Sequence, residues 1–157
     1  MQSMQDAFLK TASELAREAG HIWPEYAACE AALESGWGRS GLAVKANNLF
    51  GEKQSHPPIA ETGTLELPTR EYLHGEWVTV TAQWVVFPDW AASFRTRMDR
   101  LRRLAKAYPA YGRALAAASG EEFVREVSIS WSTDPHRADK VLAVYQQHKD
   151  AFAQAVS

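Results

Sequence analysis

One window of strict alternation sits inside a chain whose apolar residues otherwise recur at steps of three and four, and that pairing restricts the fold severely. Between Thr64 and Phe87, Val78, Val80, Ala82, Trp84 and Val86 alternate with more polar neighbours, and Gly75 marks the turn from a preceding strand. One hairpin is too small to build an all-β domain. It must lean on helices. Upstream, Phe8, Ala12, Leu15, Ala19 and Ile22 predict a helix over about residues 4 to 20, and Pro24 opens a second that runs to the Glu34 region. Residues 41 to 60, with Asn47, Asn48, Gly51, Pro57 and Pro58, read as loop with one short helix. Past Pro88, the series Trp90, Phe94, Met98, Leu101, Ala105 and Tyr108 predicts a helix ending before Pro109, with shorter helices at about 111 to 118 and 120 to 130. The last helix is expected to open at Asp134-Pro135 and to carry Val141, Leu142, Tyr145, Phe152 and Val156 on its apolar side. The fold class expected is α+β and mostly α.

The chain has 157 residues, 46% of them hydrophobic, which suits a single domain over 1–157 with one core. Its formal charge of −2 argues against a nucleic-acid partner. The cluster Arg95, Arg97, Arg100, Arg102 and Arg103 reads as a solvated helix face, with contact to an anionic partner as the alternative. The single cysteine, Cys29, excludes an intrachain disulfide and sits among alanines, where it packs as a small hydrophobe. No stretch is long enough to span a membrane, and the N-terminus lacks the basic-then-apolar pattern of a secretory signal.

The chemistry is expected around Ala31 to Ser40. The run Tyr26 to Leu33 is too apolar for a solvated helix, so Glu34 at its end should lie at the edge of a core, where burial raises a carboxyl pKa toward that of a general acid. Gly36 and Gly38 end the helix, and Trp37 offers a flat face on which a sugar can stack. Glu30 lies one turn before Glu34 on nearly the same face. Two readings of it stay open: coupling to Glu34 across a groove, or a side chain that points into solvent or pairs with a nearby Arg or Lys.

Ala31 to Ser40, followed by Ala46-Asn47-Asn48-Leu49-Phe50-Gly51, resembles the signature of the bacterial glucosaminidase domain, glycoside hydrolase family 73, found in flagellar rod-associated peptidoglycan hydrolases, autolysins and phage lysins. Further matching pieces follow in the family's order: Thr69-Arg70-Glu71-Tyr72 with Gly75, Ser93-Phe94, and Ser132-Thr133-Asp134-Pro135-His136 with Lys140-Val141. Trp84-Val85-Val86-Phe87 stands where the family usually has Phe-Arg-x-Tyr, Trp131 stands in a tyrosine slot and Glu30 in a glutamine slot.

The resemblance implies a lysozyme-like fold, with a helical lobe and a β-hairpin lobe flanking a groove. It implies an endo-β-N-acetylglucosaminidase that cleaves the β-1,4 GlcNAc-MurNAc bond of peptidoglycan. Glycoside hydrolysis ordinarily needs an acid and a second carboxylate. Glu34 takes the first role; Glu66, Glu71 and Glu76 are all available on the hairpin, and the resemblance selects Glu71. Substrate contacts are expected from Trp37, Asn48, Phe50, Tyr72, Trp131 and Asp134, with one of Asn47 and Asn48 structural and Phe50 beneath the groove. His136 reads as a helix-start residue, and His21, His56, His74 and His148 show no ligand spacing, so neither metal nor cofactor is expected. The expected partner is the peptidoglycan glycan strand, met by a monomer at the bacterial cell wall or periplasm. Export would then depend on a holin, a larger particle or secretion system, or excision from a longer precursor. Competing readings are a muramidase or lytic transglycosylase on the same scaffold, and an inactive wall-binding domain.

Overall fold

The fold begins with a capped helix, because Ser3 Oγ accepts the Asp6 N–H at 3.0 Å and starts α1 (Met4–Glu18). The structure, a computed structural model, describes residues 3–60 and 62–154; Val156 lies outside them. Pro24 occupies the first turn of α2 (Pro24–Ser35), where its missing N–H has no partner to lose. Gly36, with φ of 56°, ends α2 in the left-handed region. A short helix, α3 (Gly41–Ala46), leads into the loop before the hairpin, β1 (Gly63–Leu73) and β2 (Glu76–Val86). Then follow α4 (Trp90–Arg103), α5 (Pro109–Leu115), α6 (Gly120–Trp131) and α7 (Arg137–Gln154).

The two strands pair antiparallel, with Leu65 opposite Trp84 and Glu71 opposite Val78. At its base the hairpin is tied to the loop after α3. Val85 N–H donates to Glu52 carbonyl at 3.1 Å and Phe87 N–H to Ala46 carbonyl at 2.8 Å. The main core lies between the helices, where Leu9, Ala12, Ala28, Ala31, Phe94, Leu101, Val127 and Val141 are buried together. The run of alanines in α2 lets α1, α6 and α7 approach it closely, which buries α2 on nearly all sides. Cys29 is buried and unpaired, and burial pushes its thiol well above the ordinary range. No helix among the described residues is long and apolar enough to cross a membrane.

Three sequence expectations change. The helix from Trp90 stops at Arg103 rather than continuing to Tyr108, and the next begins at Pro109. The last helix begins at Arg137, because Asp134 Oδ1 accepts the His136 N–H two residues on and forms a turn there instead of capping a helix at Pro135. Arg97 is fully buried rather than solvated. It shares a face of α4 with Phe94, Met98 and Leu101, at helical spacing.

Candidate active site

Glu34 sits in the last turn of α2 with its side chain 24% exposed. It is not an unpartnered carboxyl at an apolar edge. Arg137, the first residue of α7 and 1% exposed, donates from Nε to Glu34 Oε1 at 2.8 Å and from Nη1 to Ser128 Oγ at 2.8 Å. Its Nη2 lies 2.8 Å from Glu30 Oε2, close enough for an ion pair though not aligned as a hydrogen bond. Glu30 Oε2 in turn accepts from Arg97 Nη2 at 2.7 Å. The Arg97 guanidinium lies 4.2 Å from the Trp131 ring centre and 4.6 Å from that of Phe50.

Two carboxylates and two guanidiniums thus alternate through the protein beneath the groove: Glu34, Arg137, Glu30, Arg97. Glu30 has no exposure and does not border the groove; Arg137 lies between it and Glu34 and pairs with both. Burial works to raise the Glu30 carboxyl, but Arg97 and Arg137 outweigh it and hold it below the usual carboxylate range. Among the described residues, only Oε1 of Glu34 is held by a hydrogen bond. A side-chain carbon built at Gly51 would come within 3.7 Å of Oε2 and 3.8 Å of the Trp84 ring, so the glycine keeps the approach to that oxygen open.

Glu71 projects from β1 into the same groove, a cavity of about 740 Å³ that Glu34 also lines. Its Oε1 accepts from Lys53 Nζ at 2.7 Å and its Oε2 from Thr133 Oγ1 at 2.6 Å. Burial opposes ionisation, but the Lys53 and Thr133 hydrogen bonds and the Lys53 charge prevail and lower the carboxyl pKa. The same Thr133 oxygen accepts the Tyr72 N–H at 3.0 Å, so one hydroxyl joins the hairpin to the segment after α6. An ionised carboxylate therefore stands on the hairpin wall, and a carboxyl with one free oxygen stands at the end of α2.

Of the expected binding residues, Tyr72 and Trp131 line the groove, and Phe50 forms its floor with no exposure of its own. Trp131 Nε1 donates to Phe50 carbonyl at 2.9 Å, which commits the indole N–H and leaves the ring as its contact surface. Three other expected residues do not line the groove. Trp37 is outside the groove, packed edge-on against Phe8 and His148. Asn48 is buried, and its amide holds the loop by donating to Glu52 and Val85 carbonyls and accepting the Glu52 N–H, all at 2.9 Å. Asp134 borders a smaller neighbouring cleft. It pairs with Lys140 at 2.6 Å, and although burial opposes this, the Lys140 and His136 hydrogen bonds lower its pKa.

Sequence reasoning missed Arg137, Thr133, Lys53 and the role of Arg97. One signal was available: a Glu at position 30 inside an alanine-rich helix stays ionised only beside a buried cation, and Arg97 is the charged residue on an otherwise apolar stripe.

A family model described as "Glucosaminidase: Mannosyl-glycoprotein endo-beta-N-acetylglucosaminidase" matches residues 9–150. The chain belongs to the glucosaminidase family. Among curated relatives of this glucosaminidase domain, exo-glucosaminidase LytG of Bacillus subtilis (strain 168) is 29% identical over 151 residues, covering 92% of this chain and 51% of LytG. Peptidoglycan hydrolase FlgJ of Escherichia coli (strain K12) is 30% identical over 151 residues, covering 91% of this chain and 45% of FlgJ. The chain therefore spans about half the length of these relatives. A crystal structure of a peptidoglycan hydrolase mutant from Sphingomonas sp. A1 superposes with a TM-score of 0.79 at 22% identity, covering 95% of this chain and 99% of that one. That likeness establishes the lysozyme-like fold of this glucosaminidase domain.

Proposed function

We propose that residues 1–157 act as one catalytic domain, an endo-β-N-acetylglucosaminidase that hydrolyses the β-1,4 GlcNAc-MurNAc bond of peptidoglycan at the cell wall. The observation that carries this reading is the groove with Glu34 at one wall and Glu71 at the other. Glu34 is the general acid: Arg137 pins Oε1, and Oε2 beside Gly51 is the oxygen that delivers a proton to the leaving glycosidic oxygen. Glu71, held ionised by Lys53 and Thr133, stabilises the positive ring or takes a proton from the attacking water. Trp131 and Tyr72 offer apolar ring surface along the groove for sugar faces.

Digestion of purified peptidoglycan, reduction with borohydride and mass spectrometry of the products test the bond specificity. Reducing-end GlcNAc is expected. Reducing-end MurNAc would assign a muramidase, anhydroMurNAc ends a lytic transglycosylase, and wall binding without soluble fragments a non-catalytic role.

A further inference from the structure

Glu52 is a buried acid for which the proposed cleavage has no use. It is 1% exposed and follows Gly51 in the loop under the hairpin. Its backbone is fully engaged by Asn48 and Val85. Its side chain is not: neither carboxyl oxygen has a hydrogen-bond partner among the described residues, although Glu52 lines the groove. Burying a carboxylate in this way is costly. Burial pushes its pKa up to about 7, against the opposing charges of Arg100, Arg97 and Arg103, with Asp99 acting in the same direction as burial. Those four residues belong to α4. The other charged groups around the loop are Lys53, committed to Glu71, and Glu34, whose Oε2 faces Gly51.

Arg100 is its counterpart. It also lines the groove, and its guanidinium makes one hydrogen bond among the described residues, from Nη2 to Lys53 carbonyl at 3.0 Å. Its Nε is buried without a partner, and no carboxylate of the described residues lies within 4.0 Å. The remaining groove cations are engaged: Lys53 by Glu71, and Arg70 over the Trp77 ring at 5.8 Å. Arg97 is confined between Glu30 and the aromatic rings.

We propose that Arg100 is a recognition point for a carboxylate of the substrate, and that Glu52 is the internal counter-charge exchanged for that ligand. This rests on the peptidoglycan reading and adds a subsite to it. The chemistry required is a carboxylate, which wall fragments carry on the lactyl group of stem-free MurNAc or on the peptide stem. Above about pH 7, where Glu52 is ionised, a ligand carboxylate that takes the Arg100 guanidinium is accompanied by uptake of one proton from solvent on Glu52, which becomes neutral, so the buried charge is unchanged. Binding is thereby linked to proton uptake. Below about pH 7 Glu52 is already neutral and the subsite is open to an anion; above it, ionised Glu52 opposes anion binding.

Calorimetric titration with MurNAc-GlcNAc disaccharide, the repeat released by the proposed cleavage, tests this independently of turnover. Two pairs of probes are used: the stem-free disaccharide against its lactyl methylamide, and the stem-bearing disaccharide against the same compound with its stem carboxyls amidated. At pH 6 the acid of one pair should bind roughly threefold to tenfold more tightly than its amide, with the gap narrowing at pH 8. The pair that shows the gap identifies the source of the carboxylate. At pH 8, titration in buffers of different ionisation enthalpy should show proton uptake, which Glu52→Gln abolishes. Arg100→Gln should close the gap, and Arg100→Lys should retain part of it. If Glu52→Gln fails to fold, the wild-type proton uptake still decides. Equal affinities within both pairs at pH 6 overturn the proposal, as does a gap without proton uptake at pH 8. Failure to hydrolyse wall strands would count against the glycosidase reading instead.

Discussion

Glu34 and Glu30 are both glutamates on one helix, four residues apart, and their surroundings assign them different work. Glu34 has one oxygen held by Arg137 and the other beside the open space at Gly51. Replacing it with Gln preserves shape but removes the transferable proton. Release of soluble wall fragments by Glu34→Gln should fall by roughly 100-fold or more with the fold intact. Glu30 has no access to substrate, and it compensates two buried arginines at once. Glu30→Gln leaves the buried Arg97 with only a neutral partner and Arg137 with Glu34 alone, so unfolding by urea should show a loss of about 3 to 5 kcal/mol. A variant that kept wild-type stability would mean that Arg97 finds compensation elsewhere.

At the scale of elements, Thr133 links the hairpin to the segment after α6 through two hydrogen bonds. It donates to Glu71 and accepts from Tyr72 N–H. Thr133→Val removes one of the hydrogen bonds that lower the Glu71 pKa, so the carboxyl should titrate at higher pH. If Glu71 must be ionised to work, the acid limb of the pH-activity profile moves upward in this variant, and an unmoved limb would detach Glu71 from the reaction. Among the glycines, the closest approach of a neighbour is at Gly120, the first residue of α6. A β-carbon there would lie 2.0 Å from the Tyr26 ring, itself stacked on Tyr145 of α7 at 4.1 Å. Gly120→Ala should cost about 1 to 3 kcal/mol in thermal or chemical unfolding, a large effect for a single methyl group.

Across the whole molecule, two buried groups make stability depend on pH in opposite directions. His21 is buried with Nε2 3.2 Å from Phe94 carbonyl, and burial, aided by Arg97, lowers its pKa from 6.5 to about 4. Its depressed pKa means that stability is lost as pH falls from about 6.5 through 4, by roughly 3 kcal/mol when complete. Glu52 has the opposite sign: its pKa rises from 4.5 to about 7, so stability is fully present below 4.5 and is lost as pH rises through 7. Between about pH 4.5 and 6.5 the two slopes cancel. Melting temperature should therefore be nearly flat over that range and then fall above it until Glu52 is fully ionised. Below it the remaining His21 titration, together with the lowered Glu30, Glu71 and Asp134 carboxyls, should make it fall. Glu52→Gln should turn the plateau into a rise with pH, and a profile still flat in that variant would show that Glu52 does not titrate there.

Much of this architecture was legible from local patterns, because helix and strand periods, Pro24 at a helix start and Gly36 at a helix end act over only a few residues. The Glu34 and Glu71 motifs, and through them the family, were legible in the same way. Boundaries were less so. Whether Asp134 caps a helix or makes a turn depends on one hydrogen bond to His136. Tertiary structure alone decided what surrounds each functional group. Glu34 and Arg137 are 103 residues apart in the chain, Glu30 and Arg97 are 67 apart, and Thr133 and Glu71 are 62 apart. A charge in an apolar segment announces that it must be compensated. Which distant residue compensates it, and whether Trp37 faces sugar or core, follows from how the helices pack, since burial energies depend on three-dimensional neighbours and not on sequence order.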